Sequence, residues 1–292
     1  MQLLDRRTFL ALTGAAAGAT ALPRRSKAAP ASADVFTADA MGGLVDSTVI
    51  LGQDKALLID AQFTKANAEA LAETIDATGR DLETIFITHY HPDHVLGLAV
   101  LMDRFPNAKP VAHGAVQPLI AQAAQGMLDA MSASRPGVFA DRAIVPEALP
   151  GDSLMLEGER FDVIGPLHGD TGLVTAVHIP QLATLVAADL VYTDTHVWVA
   201  ENTTPEDLAA WRASLDQIEA IGAATLIPGH RQAGSANDAS AIAHTRAYLD
   251  QWEAALAATS TAEELRAAMM VGNDALGMGF ALDNAIGAVY PG

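Results

Sequence analysis

The chain has 292 residues, half of them hydrophobic, which is enough for an extensive buried core and excludes a largely disordered protein. It contains no cysteine, so disulfides and thiolate metal ligands are excluded. Its net charge of −18 repels phosphate groups and anionic membranes, so nucleic acid is not expected as a partner.

The N-terminal residues resemble an export signal. Arg6 and Arg7 precede a weakly apolar stretch, rich in alanine and glycine, that ends near Leu22. This order is typical of twin-arginine export, so we expect residues 1–33 to be removed and the protein to be periplasmic or secreted. The apolar stretch is shorter than the ~20 residues that span a bilayer, so no stable membrane anchor is expected. Residues 1–33 hold five basic residues and one acidic residue, so their removal would change the net charge from −18 to −22.

The next part of the chain predicts strands around one helix. Three short β-type runs lie at 35–38, 45–51 and 56–59, and a fourth apolar run lies at 84–88. Between them, residues 66–77 have the apolar spacing of an amphipathic helix.

Directly after the fourth run, the segment 89–94 contains three histidines and an aspartate. Residues two apart on extended chain share a face, so His89 and His91 can point to the same side. Asp93 and His94 begin the next apolar stretch and are expected on the first turn of a helix. Imidazole and carboxylate together suit zinc or a similar divalent metal better than calcium or magnesium. The segment therefore predicts two neighbouring metal ions, one bound by His89 and His91 and the other by Asp93 and His94.

The rest of the chain again alternates between strands and helices. An alanine- and methionine-rich helix is predicted at 115–134, and its methionines can belong to the core or to a lid, with helical spacing favouring the core. Further β-type runs lie at 160–164, 173–179, 182–187 and 224–227, and helical stretches lie at 205–221 and 236–270, the latter broken near Thr259. This order supports the α/β class and an αβ/βα sandwich.

The motif His-x-His-x-Asp-His resembles the signature of the metallo-β-lactamase-fold hydrolase superfamily, over about residues 34–231. The resemblance implies a four-layer sandwich in which residues 34–292 form one domain with a C-terminal helical segment. It also implies three further ligands, each just beyond a β-type run, namely His168, Asp189 and His230. The expected first site is His89, His91 and His168, and the second is Asp93, His94 and His230, with Asp189 bridging both metals. Asp60 is either a residue beneath the metals, as in the family, or a turn residue.

The resemblance implies an exported hydrolase with two divalent metal ions, zinc in the first instance, with manganese, iron or cobalt as alternatives. Hydroxide formed on the metals would attack a small neutral or apolar ester, lactone or related acyl substrate. Asp93 is expected to orient the nucleophile or pass its proton, and Tyr192 to donate to the developing oxyanion. The absence of cysteine and the presence of Asp189 favour the lactonase-like members, and His91 argues against the di-iron oxygen reductases.

Three alternatives stay open: a β-lactam-hydrolysing enzyme, a glutathione thioesterase and a non-catalytic metal-binding protein. The thioesterase would need basic residues for the glutathione carboxylates, and Arg231 is one of few near the motifs. The remaining candidates are weaker. His196 and Trp198 are candidates for the pocket mouth, Asp170 and Thr171 can orient His168, and His113, His178 and His244 are expected to be structural or exposed.

Overall fold

The computed structural model describes residues 32–291. The predicted export signal lies outside this range except for Ser32 and Ala33, which begin the first strand. Among the described residues, no helix combines the length and the hydropathy that crossing a bilayer requires. Export and the division into a signal and one domain at 34–292 stay predictions.

The first sheet has six strands that follow chain order across the sheet. They are β1 (Ser32–Thr37), β2 (Asp46–Leu51), β3 (Lys55–Ile59), β4 (Asp81–Ile87), β5 (Lys109–His113) and β6 (Glu147–Leu149). The pairs β1–β2 and β2–β3 are antiparallel, and the remaining pairs are parallel. The helices between these strands are α1 (Lys65–Ala77), α2 (Pro92–Val95), α3 (Leu98–Arg104) and α4 (Gln117–Ser134).

The second sheet has five strands in the order β11-β10-β9-β8-β7. They are β7 (Ser153–Leu156), β8 (Glu159–Leu167), β9 (Val174–Ile179), β10 (Thr184–Thr193) and β11 (Thr225–Arg231). Only the pair β10–β11 is parallel. The later helices are α5 (Pro205–Glu219), α6 (Ser240–Ala258), α7 (Ala262–Met270) and α8 (Gly279–Val289).

Three apolar layers hold these elements together. Between the sheets, Phe86 of the first sheet packs with Phe161 and Val186 of the second. On the outer face of the first sheet, residues of α1, α3 and α4 cover β3 and β4. On the outer face of the second sheet, Trp211 of α5 and Trp252 of α6 are fully buried against β10. Burial of both sheet faces confirms the predicted αβ/βα sandwich.

Most predicted strands and helices are present, with ends shifted by a few residues. The short strands β5, β6 and β7 and the last helix, α8, were not predicted from the sequence. The capping residue of α7 agrees with the predicted break near Thr259, since Thr261 accepts a hydrogen bond from the backbone N–H of Glu264.

Candidate metal centre

The ligand-type residues follow β4 and β8, lie within β10, and lie near the end of β11. The chain leaves β4 at Ile87 and begins α2 at Pro92, a residue suited to the first helical turn because the missing N–H needs no partner there. Pro92 therefore separates His89 and His91, which lie in the loop after β4, from the helical pair Asp93 and His94.

The first cluster consists of His89, His91, Asp170 and Asp189, whose ligand atoms all lie within 4.8 Å of one another. Nε2 of His89 is 3.9 Å from a carboxylate oxygen of Asp170 and 3.9 Å from one of Asp189. Nδ1 of His91 is 2.7 Å from the Asp170 carboxylate. All four residues are buried, so their donor atoms face each other rather than water.

The second cluster consists of Asp93, His94 and His230. Nε2 of His230 is 3.3 Å from the Asp93 carboxylate, and Nε2 of His94 is 3.9 Å from it. Asp189 connects the two clusters, because its carboxylate oxygens lie 3.1 Å from His94 and 3.1 Å from His230. The structure thus brings together six of the seven predicted ligands.

The donor atoms fit divalent metal ions. Nε2 of His89, Nε2 of His94 and one carboxylate oxygen of each of Asp170 and Asp189 are buried without a hydrogen-bond partner among the described residues. Buried polar atoms without partners are costly, so their presence within the two adjoining clusters indicates bound species that the amino-acid residues do not supply. Imidazole and carboxylate donors at this spacing match zinc or a similar transition metal.

His168, which was expected as a metal ligand, lies outside both clusters in this structure, and Asp170 lies in the first cluster instead. The loop after β8 is fixed by two backbone hydrogen bonds, from Gly169 to Thr171 and from Asp170 to Asp189. These bonds place the Asp170 side chain against His91, whereas Nε2 of His168 lies 2.8 Å from the side-chain oxygen of Asn202. The first cluster therefore has two histidines and two aspartates, not three histidines and one aspartate.

An irregularity in β10 places Asp189 between the clusters. The pairing of β10 with β11 shifts register on both sides of Ala188, which has a φ of 48°. Such bulges redirect the side chains next to them. Gly229 of β11 leaves space for the redirected Asp189 side chain, because a Cβ atom at position 229 would overlap the Asp189 carboxylate.

Residues around the clusters hold the histidines in place. Asp60 accepts hydrogen bonds from the backbone and hydroxyl of Thr88, at 2.9 and 2.8 Å, and lies 2.8 Å from Nδ1 of His94. This contact favours the role beneath the metals over the turn role. The backbone oxygen of Gly43 lies 2.7 Å from Nδ1 of His230. Partners of this kind fix the ring orientation of a metal-ligating histidine.

Glu201 is a partner of the same kind, which fixes the ring orientation of His91. Its role was not predicted from the sequence. One Glu201 oxygen lies 2.7 Å from Nε2 of His91, and the other accepts a hydrogen bond from the Tyr90 hydroxyl at 2.8 Å. Burial would raise the pKa of Glu201, but the hydrogen bond with His91 and the other contacts lower the pKa to about 2. Glu201 is therefore a carboxylate that leaves only Nδ1 of His91 for a metal.

The buried histidines and aspartates of the clusters shift one another's pKa values. Burial lowers the pKa of His89 well below its usual value, and nearby His94 adds to this effect. Burial would raise the pKa of Asp189, but His230, His94 and His89 together hold it well below its usual value. Burial raises the pKa of Asp170 to about 7, although adjacent His91 opposes the shift. A metal cation would replace the protons that the histidines share with these carboxylates.

Tyr192 is fully buried beside the bridging aspartate. Its hydroxyl donates to Asp189 at 2.7 Å and lies 3.3 Å from Asp170, and its ring stacks on that of His230 at 5.1 Å. Burial and the two carboxylates raise the pKa of Tyr192 well above its usual value. The phenol therefore stays protonated and remains a hydrogen-bond donor at neutral pH.

A cavity of about 750 Å³ opens above the clusters. Among its lining residues are Asp93, Asp170, Asp189, Tyr192 and His230 of the site. Its walls are mostly apolar and come from Met41, Phe63, Met127, Met131, Trp198, Met278 and Phe280. This volume and lining are typical of a small-molecule site.

The cavity lining shows whether the methionines of the methionine-rich helix face the core or the cavity. In α4, Ile120, Ala124 and Leu128 are buried in the core, whereas Met127 and Met131 are half-buried and line the cavity. The helix therefore has a core face and a cavity face, and its methionines belong to the second.

Of the weaker candidates, Trp198 lines the cavity and His196 does not, since Nδ1 of His196 lies 3.1 Å from the Tyr248 hydroxyl. Asp170 and Thr171 were expected to orient His168, but the hydrogen-bond partners of His168 are Asn202 and Ser214. Both His113 and His244 have partners away from the clusters, in Asp152 and in the backbone oxygen of Thr195. His178 lies in β9 and belongs to neither cluster.

Several known proteins are similar to this chain. The model of the Metallo-beta-lactamase superfamily matches residues 40–230. A hydroxyacylglutathione hydrolase of Ruegeria pomeroyi is 30% identical over 141 residues, which is 46% of this chain and 42% of that protein. The chain thus matches less than half the length of this curated relative.

Solved structures with the same fold include two metallo-beta-lactamases. The DIM-1 metallo-beta-lactamase is similar with a TM-score of 0.52 and 20% identity, over 75% of this chain and 92% of that chain. The FIM-1 metallo-beta-lactamase from Pseudomonas aeruginosa, in its mono-zinc form, has a TM-score of 0.53 and 16% identity, over 77% of this chain and 97% of that chain.

Proposed function

The chain belongs to the metallo-beta-lactamase superfamily, and we propose that it is a metal-dependent hydrolase of small, largely apolar esters, lactones or related acyl compounds. The single observation that carries this proposal is the pair of buried histidine–aspartate clusters, joined by Asp189, at the floor of an apolar cavity. The clusters supply the chemistry, and the apolar walls indicate the substrate class.

We propose two metal sites, both for zinc or a similar divalent ion. The first would be formed by His89, His91 and Asp170, and the second by Asp93, His94 and His230, with Asp189 shared between them. Bound divalent metals would lower the pKa of a water molecule towards neutrality and polarise the substrate carbonyl. Proton transfer and hydrogen bonding to the oxyanion would be carried out by side chains of the protein.

Asp93 is suited to proton transfer, because it is the most exposed carboxylate of the clusters, with 18% side-chain exposure, and it lines the cavity. It can accept a proton from the attacking water and pass it to the leaving group. Tyr192 is a cavity-lining donor that stays protonated, and its contact with Asp189 also positions that carboxylate. Tyr192 can therefore act on a developing oxyanion only if it gives up this hydrogen bond during the reaction.

A thioester substrate is a second candidate, favoured by the similarity to a hydroxyacylglutathione hydrolase. Arg231 was the candidate, from the sequence, for binding the glutathione carboxylates. In the structure, however, Nε of Arg231 lies 3.0 Å from the buried Asp46 carboxylate, and Arg231 does not line the cavity. A glutathione thioesterase is therefore the weaker proposal, and a β-lactam substrate is supported only by a fold shared at low identity.

Metal removal tests the proposed function directly. After dialysis against a chelator, hydrolysis is expected to fall at least ~100-fold and to return with zinc, manganese or cobalt, because the activated water is lost with the metal. Aryl esters, acyl-homoserine lactones, S-acyl glutathione and nitrocefin would be compared with the same protein preparations. Elemental analysis would confirm removal and reloading. Unchanged turnover by the stripped protein would contradict the proposal, and no turnover of any substrate by the loaded protein would favour a non-catalytic metal-binding role.

Replacing Glu201 with glutamine is expected to weaken metal binding about tenfold, because neighbours that orient a histidine ligand contribute about that much or more. The change removes the carboxylate that lies 2.7 Å from Nε2 of His91 but keeps the size of the side chain. Metal affinity would be measured by competition with a chromophoric chelator. Glu253→Gln is the matched control, since Glu253 contacts only Arg212 at the surface. Equal affinity of E201Q and E253Q would show that Glu201 does not position His91.

A further inference from the structure

Arg135 differs from the other arginines of the described chain. The guanidinium groups of the other eight, including Arg104, Arg142 and Arg231, each have at least one oxygen acceptor. Arg135 has none among the described residues, and its guanidinium donates only to the sulfur of Met41, at 3.6 Å. In a chain with 35 acidic and 17 basic residues, an arginine without a carboxylate is unexpected on electrostatic grounds.

Two phenylalanines hold this guanidinium in place. It lies over the ring of Phe63 at 5.7 Å from the centroid and over the ring of Phe139 at 5.3 Å. The two rings contact each other, with their centroids 4.9 Å apart. Cation–π contacts of this kind fix a guanidinium without using its N–H donors. The donors of Arg135 therefore stay available to a ligand.

The position of Arg135 shows which ligand these donors would meet. It follows the last turn of α4, where its backbone N–H bonds to Met131, and it lines the same cavity as the metal clusters. It is the only lysine or arginine in that lining within residues 32–291. The same lining includes the apolar side chains of Met127, Met131 and other residues, so a ligand that reaches both Arg135 and the clusters would be largely apolar along its length.

We propose that Arg135 binds a carboxylate of the substrate at a distance from the bond that is cleaved. The substrate class is then an acyl compound with an apolar chain, which carries the hydrolysed ester or lactone at one end and a carboxylate at the other. This inference rests on the proposed function and narrows the expected substrate, since a wholly neutral compound would leave Arg135 without a partner. Arg135 is a binding residue here and takes no part in bond cleavage.

Paired substrates test the proposal with the metal-loaded protein. Phenyl hemiesters of linear dicarboxylic acids of increasing length would be compared with phenyl esters of the monocarboxylic acids of equal length, by release of phenol. For the wild-type protein, we expect a lower KM for the hemiester at one or more lengths. Arg135→Gln is expected to raise that KM about tenfold more than it raises the KM of the neutral ester of equal length, because a charge-assisted hydrogen bond is lost only by the carboxylate.

Arg142→Gln is the matched control, because Arg142 is exposed, pairs only with Asp103 and does not line the cavity. The proposal is overturned if R135Q behaves like R142Q, or if R135Q changes both substrates of a pair equally. Either result leaves metal-dependent turnover, and so the proposed function, intact.

A binding measurement tests the anion site even if the protein hydrolyses none of the phenyl esters. Calorimetric titration of the metal-loaded proteins with an ether analogue of the hemiester, which cannot be hydrolysed, needs no turnover. If no phenyl ester is cleaved but the analogue binds about tenfold more weakly to R135Q than to R142Q, the proposed hydrolysis fails and the anion site stands. Equal binding to the two variants would overturn the anion site as well.

Discussion

Replacing Asp189 with asparagine is expected to lower hydrolysis by at least ~10³-fold and to reduce the bound metal, because a neutral amide cannot serve two cations as a carboxylate does. Asp189 is the residue on which both clusters depend, with oxygens 3.1 Å from His94 and 3.1 Å from His230. Its negative charge also balances the three buried histidines that hold its pKa low. Loss of that charge removes the carboxylate that lies 3.1 Å from each of His94 and His230.

The measurement combines elemental analysis with steady-state kinetics on the same preparation. Asp250→Asn is a suitable control, because Asp250 is exposed and contacts only Arg212. Circular dichroism would show whether both variants are folded. If D189N had the same metal content and turnover as D250N, Asp189 would not be a metal ligand and would not link the two clusters.

The second large effect is expected at Asp170. Replacing Asp170 with alanine should remove most binding at the first site and lower turnover by about 10²- to 10³-fold, because only three of its four ligands, His89, His91 and Asp189, would remain. Asp170→His should restore metal binding and favour zinc over manganese more strongly than the wild-type protein does. The reason is that carboxylate oxygen suits manganese, whereas imidazole nitrogen suits zinc.

Competition between zinc and manganese, followed by elemental analysis, measures this preference without any assay of activity. His168→Ala is the matched comparison, since His168 was the ligand expected from the sequence and contacts Asn202 in the structure. Greater metal loss in H168A than in D170A would reverse our correction and return His168 to the centre.

The difference between His168 and Asp170 shows where sequence reasoning succeeded and where it did not. The segment 89–94 was predictable because its ligands are neighbours in the chain, and strand and helix periodicities fix their directions. Asp189 and His230 were expected from the family resemblance, which implies ligands just beyond β-type runs. His168 and Asp170 are both ligand types, two residues apart in one loop, and the choice depends on backbone hydrogen bonds to Thr171 and Asp189 that no local pattern encodes.

The cavity was less predictable than its floor. Arg135 and Glu201 have ordinary surroundings in the sequence, and only the folded chain brings them to the site. Met41, Met127 and Phe280 come from segments far apart, and the periodicity of α4 indicates that it has a buried face but not what covers the other. Helix α8, which carries Phe280, was not predicted at all.

The walls and the floor of the cavity come from different parts of the chain. None of the seven clustered residues lies in α4 or α8, yet these helices and the residues next to them supply Met127, Met131, Arg135 and Phe280. Substitutions in the two helices can therefore alter which compounds are accepted while the reactive chemistry is inherited unchanged. Such independence allows a lineage to acquire new substrates by small steps, without passing through inactive ancestors.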